Sequence, residues 1–260
     1  MFCLFKGNNI RTKVKVSKNI YFNKTPTSTT CLVKENGKSR IPICTIAKMK
    51  DNKQTPTKIT KYATFKAALF AIDPNEFNEL LEASQINQKN DLILLKLATG
   101  FLNLRLKIEN EEEILFFGKA INYPDSVLPL NLKTTLSNMI KQASISNLQY
   151  FFDQSLSTLW EEMNKSSSGF IGLMIIIQQI AINSPEVCVS NLARFAMTRN
   201  SYENHAIVCM CLFWALGSAA ISNTTVALKV FQDFMYPVVN IYPNYIFEYL
   251  YKALQYETPK

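Results

Sequence analysis

Ala206-Ile-Val-Cys-Met-Cys-Leu-Phe-Trp-Ala-Leu-Gly-Ser-Ala-Ala-Ile221 is the densest part of a run, residues 204–228, that holds no Asp, Glu, Lys or Arg. Such a run either crosses a membrane or lies at the centre of a helical core. A span needs about 20 apolar residues. This stretch gives 16 before Ser222-Asn223-Thr224-Thr225, which reads as a loop and a helix N-cap. The length therefore favours a buried core helix, and a membrane span at 206–221 is the alternative.

Working outward, the same helical signals recur. Downstream, Thr224 and Thr225 start a helix that places Ala227, Phe231, Phe234 and Met235 on one face, and a last helix, rich in Tyr and Phe, is predicted over 244–255. Upstream, Ser184-Pro185-Glu186 combines a cap, a first-turn proline and an acid suited to the helix dipole, and predicts one helix to about Thr198. Residues 170–183 form a short, very apolar helix; Gln178 and Gln179 near its end make it a poor span. Over 147–165, Phe152, Leu156, Leu159, Trp160 and Met163 share one face. Asp73-Pro74 opens a helix to Ser84, Asn90-Asp91 caps the next, and 130–144 forms another. Residues 92–106 are apolar nearly all round, which predicts a central helix and not a surface one.

The fold class expected is all-α. The helix-loop-helix rhythm suits a HEAT-like α-solenoid of stacked helix pairs over residues 62–256, with a compact bundle as the rival. Ahead of it, residues 1–62 hold fourteen Lys/Arg against two acids, a net of +12 that exceeds the +8 of the whole chain. With little apolar periodicity, residues 1–61 are expected to be a disordered basic tail. Lysine outnumbers arginine there and aromatics are not interleaved with the charges, so specific nucleic-acid recognition is not expected. Weak contact of the tail with microtubules or an anionic membrane fits its charge.

Catalytic chemistry finds little material. The only histidine is His205, at the mouth of the apolar run, and it reads as a helix-start residue that touches its own backbone or solvent. The six cysteines show no Cys-x-x-Cys spacing and read as reduced, mostly buried thiols. Seven glycines supply no phosphate-binding loop. Glu161-Glu162 and Glu111–Glu113 lie in polar surroundings and read as solvated. No catalytic residue, cofactor or metal site is expected. The aromatic residues of the last helix, Tyr245, Tyr249 and Tyr251, are the candidates for a partner-facing surface, or for a face that a following repeat would cover.

Several blocks, in shared order over residues 63–251, carry a family resemblance: Ala67-Ala68-Leu69-Phe70-Ala71-Ile72-Asp73, Leu102-Asn103-Leu104-Arg105-Leu106, Tyr123-Pro124-Asp125-Ser126, Phe151-Phe152-Asp153-Gln154, Asn191-Leu192-Ala193-Arg194-Phe195, and Trp214-Ala215-Leu216-Gly217-Ser218-Ala219. Together they resemble the N-terminal helical region of the transmembrane protein 214 family, with no clear match before Tyr62. The resemblance implies a non-enzymatic adaptor with protein partners, a pro-caspase among them. It implies placement on the cytosolic face of the endoplasmic-reticulum membrane and a role in stress-induced apoptosis. The family's C-terminal membrane spans are missing here, so the expectation becomes cytoplasmic if Lys260 is the true end.

Overall fold

The computed structural model describes residues 61–87, 90–109, 119–164 and 168–255. The expected tail over 1–61 falls, but for Lys61, outside the described residues, as do Glu111–Glu113. The described elements are α1 (Phe65–Phe70), α2 (Pro74–Asn87), α3 (Asp91–Arg105), α4 (Leu130–Gln142), α5 (Ile145–Asn164) and α6 (Ile171–Asn183). They continue with α7 (Val187–Ser190), α8 (Leu192–Ser201), α9 (Ala206–Gly217), α10 (Thr224–Val230) and α11 (Pro243–Gln255). The fold is all-α. Extended pairing among the described residues is limited to one bridge, in which the Tyr62 N–H donates to the Lys107 carbonyl at 2.8 Å and the Glu109 N–H donates to the Tyr62 carbonyl at 3.0 Å.

The helix starts follow local chemistry. The free N–H groups of a first turn need acceptors, and short polar side chains provide them. Thr64 accepts from Ala67, Asp73 from Asn75, Asn90 from Leu92 and Ile93, and Asn223 from Val226. Asp91 does the same at long range. Its carboxylate accepts from the Ser144 N–H at 2.9 Å and from the Asn147 amide at 3.0 Å, tying the start of α3 to the start of α5.

The centre of the molecule is α6. Every residue from Ile171 to Ala181 is buried, and the helix packs against α3, α4, α5, α7 and α9. An apolar surface all round requires neighbours all round, which α6 has and α3 lacks. The expectation that residues 92–106 form a central helix, apolar and covered nearly all round, is thus corrected: Leu104 is exposed, and α3 buries one face through Leu95, Ala98 and Leu102. Gly172 allows the closest approach between the two helices. A Cβ there would lie 2.6 Å from the Thr99 carbonyl oxygen, and its N–H donates to Asn103 Oδ1 at 2.7 Å.

Three further boundaries differ from the sequence expectation. The helix predicted from Ser184 to Thr198 is broken into α7 and α8 at Asn191, whose side chain donates to Asp153 Oδ2 at 2.6 Å. That bond turns Asn191 toward α5 and out of helical geometry. The apolar run keeps α-helical form only to Gly217 and then tightens into a 3-10 turn over Ser218–Ile221. The segment after α10 widens into a π-turn over Phe231–Met235.

The uncharged run itself is covered by its own chain. Val208, Cys209 and all residues from Cys211 to Ala220 are buried, with α5, α6, α7, α8 and α10 packed on α9. No helix of the described residues is long and apolar enough to cross a membrane.

Candidate functional site

Polar groups buried inside a fold either pair or do chemistry. Gln178 and Gln179 on α6 hold the turn before α4. Gln178 Oε1 accepts from the Asp125 N–H at 2.7 Å, and its Nε2 donates to the Tyr123 carbonyl at 3.0 Å. Gln179 Nε2 and Lys133 Nζ both donate to the Asp125 carboxylate at 2.8 Å. Trp214 Nε1 donates to the same Tyr123 carbonyl at 3.0 Å. Asp125 therefore has a donor on each oxygen.

A second buried carboxylate, Asp153 on α5, accepts from Gln149 at 2.9 Å, Asn191 at 2.6 Å and Arg194 at 3.3 Å. Both acids pin helices together.

Arg199, buried at the end of α8, is the least expected group. Its Nε and Nη2 donate to Asn200 Oδ1 at 3.1 and 2.8 Å, and its Nη1 donates to the Phe234 carbonyl in the π-turn. The guanidinium carbon sits 5.1 Å from the centre of the Phe234 ring. Burial lowers the Arg199 pKa. The arginine is a clamp on a helix end, satisfied by neutral oxygens. Beside it, Cys209 Sγ points at the Tyr202 carbonyl at 3.4 Å, and burial pushes the thiol pKa up. Burial likewise pushes Tyr242 up to about 12. Burial raises the Cys188 and Cys211 thiols too. Thiols of this kind are poor nucleophiles. Among the described residues, no group of three or more His, Cys, Asp or Glu side chains could hold a metal ion.

At the α8–α9 turn, Tyr202 lies 6.2 Å from Trp160 of α5 and 5.7 Å edge-on from His205. His205 also links the turn, its N–H donating to the Tyr202 carbonyl at 2.8 Å and its carbonyl accepting from Val208 at 3.0 Å. Tyr202, His205 and Ile207 are exposed and Trp160 is half-buried, so one surface presents an indole, a phenol and an imidazole. Tyrosine and tryptophan are the residues that most often anchor a protein partner.

The three tyrosines of the last helix have different fates. Tyr249 is 3% exposed, its hydroxyl donating to the Ala227 carbonyl at 3.1 Å. Its ring lies over Gly217, where a Cβ would come within 2.8 Å of it. Tyr245 is half-buried and stacked on Phe213 at 5.7 Å. Of the three, Tyr251 alone is exposed, in an outward row with Phe247 and Leu254. The expectation of three exposed tyrosines is corrected accordingly: α10 and the apolar run claim one face of α11 as core.

A groove of about 720 Å³ opens elsewhere, between α1, the start of α2 and the start of α4, with Leu69, Phe77, Leu128 and Leu132 in its walls. Sequence reasoning missed this groove, the Trp160–Tyr202 surface and the Arg199 clamp. The signal for the groove was legible in Leu130, an apolar residue after Pro129 at an expected helix start. The other two join residues 35 or more apart, for which a single sequence gives no signal.

A family model described as "TMEM214, C-terminal, caspase 4 activator" matches residues 4–259. Transmembrane protein 214 of Homo sapiens is 28% identical over 223 residues, which is 81% of this chain and 32% of that protein. The Bos taurus protein of the same name is 28% identical over 183 residues, 70% of this chain and 26% of its own length. Transmembrane protein 214-B of Xenopus laevis is 27% identical over 186 residues, covering 71% of this chain and 27% of that protein. The chain thus spans about a third or less of the length of these curated relatives. No solved structure matches. The match begins at residue 4, so the family pattern reaches into the basic segment where the resemblance alone found none. With its match extending over nearly the whole length, the chain belongs to the transmembrane protein 214 family.

Proposed function

We propose that this chain is a non-enzymatic helical adaptor that holds a pro-caspase, through the aromatic surface at the α8–α9 turn, at the endoplasmic-reticulum membrane during stress-induced apoptosis. The observation that carries the reading is the surface at the α8–α9 turn, where exposed Tyr202 and His205 stand beside half-buried Trp160. The description of the family as a caspase 4 activator supports the class of partner. The packing of α2 on α3, α5 on α6, α8 on α9 and α10 on α11 supports a HEAT-like stack of helix pairs as the scaffold. The burial of the uncharged run within its own chain supports an adaptor body over a span at 206–221. Within this reading, the +12 charge of residues 1–62 supplies a salt-sensitive contact with anionic lipid or with microtubules.

The experiment is direct capture of purified caspase 4 zymogen by the full chain in a surface-binding assay. Tyr202→Ala and Ile207→Glu are expected to weaken binding by about 2 kcal/mol each, roughly 30-fold. Tyr150→Ala, an exposed tyrosine on another part of α5, is expected to leave it unchanged. Zymogen that fails to bind, or binds all three variants alike, removes the reading.

A further inference from the structure

We propose that the cleft between α3 and α5 is a binding site for a small organic acid, a single carboxylate on a short apolar body. The inference goes beyond the adaptor reading, and the cleft shares no residue with the Trp160–Tyr202–His205 surface.

The two helices are tied at their starts by Asp91. Further along, a cavity of about 330 Å³ opens between them, near the lower end of the roughly 300–1,000 Å³ typical of small-molecule sites. From α3 come Leu92, Lys96 and Thr99, at i, i+4 and i+7 and so on one face. Across the cleft, α5 supplies Gln154, Ser155 and Thr158. Phe151 of α5 and Leu173 of α6 add apolar surface, at 5% and 6% exposure.

The polar groups here differ from those inside the fold. Asp125, Asp153, Gln178, Gln179 and Arg199 all find partners within the chain. Ser155 is only 5% exposed, yet its hydroxyl has no hydrogen-bond partner among the described residues. A buried hydroxyl of this kind calls for a partner from outside the chain. Lys96 stands on the same cleft, exposed and without an ion pair among the described residues. The Gln154 amide is likewise unpaired. Thr99 and Thr158 commit their hydroxyl protons to the Leu95 and Gln154 carbonyls at 2.8 and 3.2 Å. Lys96, Gln154 and Ser155 thus hold out donors that the protein itself does not use.

This chemistry selects the ligand. Of the described residues in the walls, Lys96 alone is charged, and no Asp or Glu stands among them. One ammonium with neutral donors beside it suits one negative charge. A phosphate is better met by an arginine fork or by free backbone N–H groups at a helix start. The cleft has no arginine, and the amides of Lys96, Thr99, Gln154, Ser155 and Thr158 lie inside α3 and α5, where the helices use them. Leu92, Phe151 and Leu173 then cover the body of the acid, which gains by leaving water.

The test titrates the full chain, labelled on its leucine methyl groups, with hexanoate, hexan-1-ol and inorganic phosphate, following the Leu92 and Leu173 signals by NMR. Hexanoate is expected to shift both signals saturably, at about millimolar affinity, which is what an acid this small can supply. Hexan-1-ol is expected to bind more weakly. Lys96→Met keeps the stem and removes the charge; it should cut hexanoate affinity by about tenfold or more and leave hexan-1-ol binding unchanged, which also verifies that the variant folds. Ser155→Ala should weaken hexanoate by about threefold or more with no loss of melting temperature, since no internal bond is broken. The inference is overturned if hexanoate gives no saturable shift, if hexan-1-ol binds as tightly, if Lys96→Met has no effect, or if phosphate displaces hexanoate at equal concentration. A capped Ala-Glu-Ala peptide that competes with hexanoate would assign the carboxylate to an acidic side chain; without competition the ligand is a free acid, and the carboxylate site stands in both cases. Zymogen capture by Lys96→Met is expected to equal that of the unaltered chain, so failure here and failure of the adaptor reading are separable.

Discussion

At the scale of single residues, Asp91 shows how one side chain serves two helices. It lies in the first turn of α3, where the helix dipole favours an anion, and its Oδ2 accepts from Ser144 and Asn147 at the start of α5. The Ser144 backbone bond is the largest cause that holds its carboxyl below the ordinary range, with the Asn147 amide next and burial opposing both. The sign follows from linkage. A group whose folded pKa lies below its unfolded value contributes stability above the unfolded value, here about 3.9, and loses it as pH falls through the folded value. Asp91→Asn is therefore expected to lower the urea midpoint at neutral pH. The gap to the unaltered chain should close progressively as pH drops below about 4. A gap that does not shrink at all as pH falls from neutral to well below about 4 would mean that packing and not charge explains the residue.

At the scale of elements, Arg199 accounts for the π-turn after α10. A turn that widens from α to π geometry frees carbonyls from the regular ladder, and Arg199 Nη1 takes the one at Phe234. Arg199→Met keeps much of the volume but leaves that carbonyl buried without its donor, a change expected to cost about 1–3 kcal/mol. Arg199→Lys is expected to rescue little, since an ammonium lacks the planar fork that reaches Asn200 and Phe234 together. Hydrogen exchange would localise the effect: faster exchange at amides 231–235, with α3 and α4 unchanged. Uniform change across all helices would instead mark a general loss of packing. The same elements show what was legible in the sequence. Starts at Asn90, Asp73 and Asn223 were readable because cap and capped amide lie within three residues of each other. The break at Asn191 was not, because its cause is Asp153, 38 residues away. The phase of α11 was hidden for the same reason: only the bare surface of Gly217 explains why Tyr249 turns inward while Tyr251 does not. The aromatic surface depends on Trp160 meeting Tyr202 across two helices, a pairing that no local pattern carries.

At the scale of the whole molecule, α6 decides how the described helices cohere. It touches α3, α4 and α5 before it in the chain and α7 and α9 after it, so neither side can loosen without exposing Ile175, Ile176 or Ile177, all fully buried. A stack in which each pair met only its neighbours would unfold in steps along its length. Within the proposed stack, α6 also reaches helices beyond its own pair, so the transition is expected to be one event. The two tryptophans report this separately, Trp160 from α5 and Trp214 from α9. Their fluorescence and the helical circular dichroism signal are expected to change at the same urea concentration. Ile176→Ala, which opens a cavity in the hub, is expected to destabilise by about 2–5 kcal/mol. Both signals should move together, with the slope of the transition unchanged. If the substitution separates fluorescence from dichroism, α6 does not couple the two sides, and stability along the helices is local instead of shared.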